Sequence, residues 1–228
     1  MCEAARDRLW WLATVPLQDV ERSLSVLEDA ITAGCVGVQI GTSVAGARLD
    51  DERFAPFWQA AERLRLPVTL HPAYVERSAS LGAFYLENVI GFPLETTVAI
   101  ERLICAGVLD RHPHLQVGFF TAAATFPIRP AACDTRAPFA RSSPPADPWA
   151  YLGQLWFDVI THDRGALRYL IDRVSIERLV LGTDLPFDMA LPAPLSAVAG
   201  AGGDRAVEAV AELNPRRLYP PTAPSRSV

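Results

Sequence analysis

Arg178-Leu-Val-Leu-Gly-Thr-Asp184 decides how the rest of this chain is read. A short apolar run rich in Leu and Val reads as a buried strand. The Gly-Thr-Asp that stops it places Asp184 at the strand's carboxyl end, where parallel α/β folds gather their chemistry. Pro186 prevents the strand from pairing further. A carboxylate in that position can bind a metal, act as a base or cap the next turn. The remainder of the chain has to choose among these.

Similar runs recur upstream, each closed by a breaker or a polar residue. Trp10 to Val15 ends at Pro16, Cys35 to Ile40 at Gly41-Thr42-Ser43, Pro67 to Leu70 at His71-Pro72, Gln116 to Phe120 at Thr121, and Leu155 to Ile160 at Thr161. Helical spacing lies between them. Val20, Leu24, Leu27 and Ile31 recur at four, three and four, and Gly34 ends that helix. Asp50 or Asp51 caps the next, which carries Phe54, Phe57, Trp58 and Ala61. Phe92-Pro93 opens a helix with Ile100, Leu103, Ile104 and Val108 on one face. Leu167, Leu170, Ile171 and Val174 mark another, capped by Asp163, and a last helix covers Asp204 to Leu213. Strands alternating with helices predict βαβ units in a parallel sheet. Right-handed crossovers bring every strand's carboxyl end to one face. His71, Thr121, Asp158, His162 and Asp184 therefore share a candidate mouth. Ala73 to Leu86 reads as a long loop over it, and six prolines between 127 and 148 read as irregular chain.

Composition bounds the function classes. The 228 residues carry 21 Lys and Arg against 26 Asp and Glu, a net charge of -5, which argues against nucleic acid and anionic membrane as partners. No apolar run approaches the length of a bilayer span. The four cysteines are scattered without a CxxC pair, which reads as reduced thiols in a cytoplasmic protein. Residues 1–219 are expected to form one domain and 220–228 a disordered tail.

The separate phrases also carry a resemblance. Trp11-Leu-Ala-Thr-Val-Pro-Leu-Gln-Asp19, Gly37-Val-Gln-Ile-Gly-Thr42, Leu70-His-Pro72, Gly91-Phe-Pro-Leu-Glu-Thr-Thr97, Gly107-Val-Leu-Asp-Arg-His-Pro113, Phe157-Asp158, His162-Asp163 and Leu181-Gly-Thr-Asp-Leu-Pro-Phe187 resemble the amidohydrolase-related family. Within it they look most like the aminocarboxymuconate-semialdehyde decarboxylase branch. The resemblance implies a (β/α)8 TIM-type barrel and a divalent metal, usually zinc, that activates a water. It implies decarboxylation, or in some members hydrolysis, of a small carboxylated molecule. It also implies a homodimer, to which open sheet edges add a physical reason.

By that resemblance His71 and Asp184 are metal ligands and Asp184 is catalytic. The expected architecture is an incomplete barrel lacking the first two strands, and the His-x-His that the family places on its first strand has no counterpart here. Where the family has a base His on its sixth strand, this chain reads Thr121-Ala-Ala-Ala124, and a hydroxyl cannot accept a proton near neutral pH. Ala132 stands in the region of the decarboxylases' carboxylate-binding Arg; Arg129 and Arg136 are the nearby substitutes, and Arg129 and His162 are the candidates for contact with substrate. A catalytically inactive barrel with a binding or association role is the competing reading, because two matched ligands are one short of a catalytic zinc site.

Each of these residues also has a structural reading. His71 before Pro72 can be a hydrogen-bonded packing residue, and a buried Asp158 must be paired. His112 and His114 are expected to be solvated on the opposite face. Glu87 and Glu95 suit helix starts for dipole reasons. Trp10, Trp11, Trp58 and Trp156 are expected in the core.

Overall fold

The structure is a computed structural model and describes residues 9–73, 75, 80–120 and 148–220. Thr121, Arg129, Ala132, Arg136, nearly all of the proline-rich stretch, part of the 73–86 loop and the tail from 221 lie outside the described residues.

β1 (Leu12–Thr14) leads to α1 (Val20–Thr32), whose first turn is capped by Asp19: the Arg22 N–H donates to its carboxylate at 3.0 Å. β2 (Gly37–Ile40) follows, then a small hairpin of β3 (Ser43–Val44) and β4 (Ala47–Arg48), then α2 (Ala55–Arg63) and β5 (Val68–Leu70). α3 (Phe92–Cys105) and α4 (Val108–Arg111) precede β6 (Val117–Phe119). β7 (Leu155–Asp158), α5 (Arg164–Val174) and β8 (Leu179–Val180) complete the sheet, and α6 (Pro194–Gly202), α7 (Asp204–Glu208) and α8 (Asn214–Leu218) pack behind it.

The six main strands run parallel in the order β1-β2-β5-β6-β7-β8. Spatial order equals chain order, as in a (β/α)8 barrel wall. Among the described residues β1 and β8 are not joined, so the wall has two edges. Register sorts its side chains onto two faces. One row aligns Ile40, Leu70, Phe119, Phe157 and Leu179. This row packs outward against Leu27, Trp58, Ile100 and Leu170 in one continuous hydrophobic core. The alternate positions include Gln39, Thr69, Gly118 and Trp156, on the inner face. There the Trp156 indole donates to the Gln116 side-chain oxygen at 2.7 Å, and the Tyr219 hydroxyl lies 2.7 Å from Thr69 Oγ1. Burial pushes the Tyr219 phenol up to about 12. A Cβ at Gly37 would stand 3.0 Å from the Tyr219 ring and 2.9 Å from Leu12, so that position needs glycine for close approach.

Four expectations change. The loop after β2 is the β3–β4 hairpin, turned by Ala45 and Gly46 with φ of 48° and 80°. Two consecutive positive φ values make the two-residue turn that matches strand twist, and Ala in place of Asn hid it in the sequence. Val108 does not extend α3, because Gly107 is left-handed at φ 70° and starts α4. His112 is not solvated: its Nδ1 lies 2.9 Å from Glu62 Oε2, and the His114 N–H donates to Glu62 Oε1 at 2.9 Å. That backbone bond is the main reason Glu62 sits below its ordinary carboxyl value. Trp10 is exposed rather than core, with the Arg216 guanidinium 5.9 Å from its ring. Glu95 is buried and meets Arg48 at 2.6 Å, which ties the hairpin to α3. α6 went unread because its run of Ala and Gly has no apolar period.

Candidate active site

Four strand ends build one hollow. His71 follows β5, and its N–H continues the ladder to Ile40 O at 3.0 Å. Phe120 follows β6, and Asp158 closes β7 with 1% exposure. After β8 the chain runs on through Leu181, Gly182 and Thr183 to Asp184. Gly182 is required: a Cβ there would stand 3.0 Å from both Asp158 Cβ and Ile160 Cδ1. The lack of a side chain lets the segment after β8 lie against the end of β7. His71, Phe120, Asp158, Ile160, Thr183 and Asp184 thus line a pocket of about 180 Å³ at the carboxyl ends of the strands.

Asp184 sits four residues past β8 in a left-handed conformation, φ 57°. Aspartate tolerates this region better than most residues, and strain of this kind gathers at functional sites. Its loop is closed locally: the Phe187 N–H donates to Asp184 O at 3.0 Å and the Leu191 N–H to Thr183 O at 2.8 Å. Among the described residues the Asp184 carboxylate makes no hydrogen bond or ion pair. It does not cap the turn that follows it. His71 Nδ1 lies 3.1 Å from the Pro72 carbonyl, which can only accept. In the neutral ring that contact puts the proton on Nδ1 and the lone pair on Nε2. Asp158 accepts from the Ile160 N–H at 3.2 Å, the structural bond expected of it, while still lining the pocket.

His162 is exposed at φ 54° and does not line this pocket. Its neighbour Asp163 caps α5, accepting from the Ala166 N–H at 2.7 Å. Arg129 and Thr121 lie outside the described residues. His71, Asp158 and Asp184 are therefore the expected group that comes together.

One tie was not foreseen. The Tyr85 hydroxyl donates to Asp188 at 2.6 Å, joining the segment before α3 to the loop that carries Asp184. This bond, more than any other influence, raises the Tyr85 pKa, and the charge of Asp184 adds to the effect. Phe84 and Tyr85 are both left-handed, at φ 58° and 62°, which aims the ring at that loop. A tyrosine inside an irregular stretch gave no periodic signal. In Tyr85→Phe, exchange of the Leu191 amide with solvent is expected to quicken about threefold to tenfold, the worth of one exposed hydrogen bond. Unchanged exchange would mean that the loop holds itself.

The match to the amidohydrolase family model spans residues 1–220. The chain belongs to the amidohydrolase family. A relative from Dictyostelium discoideum, 2-amino-3-carboxymuconate-6-semialdehyde decarboxylase, is 32% identical over 183 residues, covering 78% of this chain and 51% of that protein. The apo structure of Metarhizium anisopliae IDCase superposes with a TM-score of 0.84 at 26% identity, over 96% of this chain and 66% of that chain. A dihydroxybenzoic acid decarboxylase from a Polaromonas species, with bound manganese and the inhibitor 2-nitroresorcinol, gives 0.77 at 19% identity over 96% and 71%. The chain spans 51%, 60% and 63% of the length of three curated decarboxylases it matches. Its fold is accordingly α/β, a partial (β/α)8 barrel in which six parallel strands are described.

The donor set can be weighed against the metal that such a family implies. His71 and Asp184, whose carboxylate is unpaired among the described residues, line one small pocket, and these residue types suit a divalent cation. A catalytic site needs about three protein ligands. Among the described residues no three His, Cys, Asp or Glu side chains gather closely enough for one. The fit therefore extends to two ligands.

Proposed function

We propose that this amidohydrolase is a metal-dependent carboxy-lyase acting on a small carboxylated molecule, with His71 and Asp184 holding the metal. The observation that carries the reading is the shared pocket of His71 and Asp184 at the carboxyl ends of parallel strands. The decarboxylases among its relatives support the reaction class. Manganese in the Polaromonas neighbour supports a divalent ion, and zinc suits the same His and carboxylate donors. When bound, such an ion supplies a Lewis acid for the substrate's oxygens. The rest falls to the chain. The Pro72 carbonyl lies 3.1 Å from His71 Nδ1 and helps to orient the ring, leaving Nε2 as the nitrogen that would hold the metal. Phe120 and Ile160 give the pocket apolar walls. Asp184 serves as the anionic ligand, and the proton for the carbon from which the carboxylate departs comes from solvent. The C–C bond breaks, its electron pair takes that proton, and CO2 leaves.

Two finer points belong to the same reading. Association of two copies is supported by the unjoined β1 and β8 edges. A cytoplasmic location is supported by the free thiols of Cys35 and Cys105. Among the described residues no helix is long and apolar enough to cross a membrane.

A binding-only barrel is the second reading, and one observation favours it: two donors among the described residues, where a catalytic centre needs about three. Titration of the purified chain with manganese and zinc separates the two. Near-stoichiometric uptake that His71→Ala lowers strongly, together with CO2 release from a panel of small aryl carboxylates, is the expected result. No uptake above background in the parent chain would sink the carboxy-lyase.

A further inference from the structure

We infer that the opposite end of the sheet carries a second binding site, for a small organic anion with an apolar body. A hollow of about 580 Å³ lies beneath the amino-terminal ends of β5 and β6, within the size range of small-molecule pockets. Leu66, Leu115 and Leu218, all buried, form its apolar floor. Its rim carries Arg63 at the end of α2, Arg65 two residues beyond it and Arg217 from α8.

No carboxylate among the described residues pairs with these three arginines. Among the described residues, Arg48, Arg53, Arg102 and Arg168 each pair with a carboxylate. The side chains of Arg63, Arg65 and Arg217 make neither a hydrogen bond nor an ion pair there. The one carboxylate lining the hollow is Glu62, and both its oxygens are engaged by His112 and by the His114 N–H. Arg178, close enough to feel the charge of Arg217, has its pKa lowered, chiefly by burial. The neighbourhood is thus positive in a chain whose net charge is -5. Guanidinium forks match carboxylate and phosphate oxygens two at a time. The leucine floor would take the apolar part of the same molecule, a division of labour common to small-molecule sites.

The test is calorimetric titration of the full chain with phenyl phosphate at low ionic strength, with benzoate and inorganic phosphate alongside. Phenyl phosphate is expected to saturate one site per chain. Arg65→Asn and Arg217→Gln are each expected to raise its Kd about tenfold, the worth of a charge-assisted bond. Asn is chosen at position 65 because that residue is left-handed, φ 52°, and Asn accepts this conformation. Inorganic phosphate, which leaves the floor unused, is expected to bind at least about tenfold more weakly. Benzoate binding as tightly as phenyl phosphate would widen the ligand class to carboxylates; benzoate failing would narrow it to phosphates. His71→Ala should leave the affinity for phenyl phosphate unchanged, which keeps this site separate from the pocket at the other end. Absence of saturable heat with both organic anions overturns the inference. So does an unchanged Kd in the Arg65→Asn, Arg217→Gln double variant, or binding that disappears with His71→Ala.

Discussion

Asp184→Asn is expected to weaken manganese binding by at least about a hundredfold while shifting the melting temperature by no more than about two degrees. The two halves of this result have separate causes. Asp184 is left-handed at φ 57°, and its carboxylate has no hydrogen bond or ion pair among the described residues. Asparagine has the same shape and tolerates the same backbone, so the Thr183–Leu191 loop keeps its closure. What is lost is the anionic oxygen, and with it half of a two-donor set. Alanine would be the poorer probe, because it adds backbone strain to the lost charge. Manganese affinity equal to that of the parent would remove Asp184 from the ligand set. A large fall in melting temperature would instead give the carboxylate a structural role.

Phe157→Ala should cost about 3–5 kcal/mol of folding stability, read from urea unfolding. The ring is fully buried in β7, between Phe119 and Leu179 in the sheet register. Its centroid lies 6.2 Å from that of Phe119. The row to which it belongs is the surface on which the helices pack, and a hole there has helix on one side and hydrogen-bonded sheet on the other. Neither can move far to fill it, so the cavity term adds to the lost transfer energy. A loss below about 1 kcal/mol would mean that the sheet and helix layer are not packed as described.

The strands were readable because each is a short apolar run ended by a breaker, and four of their carboxyl ends carried the five residues singled out as a mouth. Asp163 as a cap and Gly34 as a stop follow from local chemistry alone, and both stand. The convergence of His71, Asp158 and Asp184 was legible for the same reason: parallel topology sends strand ends to one face whatever the loops do. Contacts between distant irregular segments were not legible. Nothing in the sequence near Tyr85 points to Asp188, and the pairing of His112 with Glu62 depends on where a loop passes α2. The β3–β4 hairpin was hidden by a single residue, Ala45, in a position that the sequence rule reserves for Asn, Asp or Gly. The exposure of Trp10 shows the weakness of composition as a guide to burial at the start of the described chain.

The docking of Tyr219 on Thr69 sets a timetable for the growing polypeptide. Because sheet order follows chain order, each strand finds a partner already made as it emerges, and the wall can be laid down during synthesis. Its inner face cannot be sealed on the same schedule. Trp156, Val180 and Phe120 are covered by Leu218 and Tyr219, which arrive 38 residues or more after Val180 has been made. Until then the ribosome-bound chain carries a finished wall with a sticky inside, and that interval is when a chaperone has something to hold.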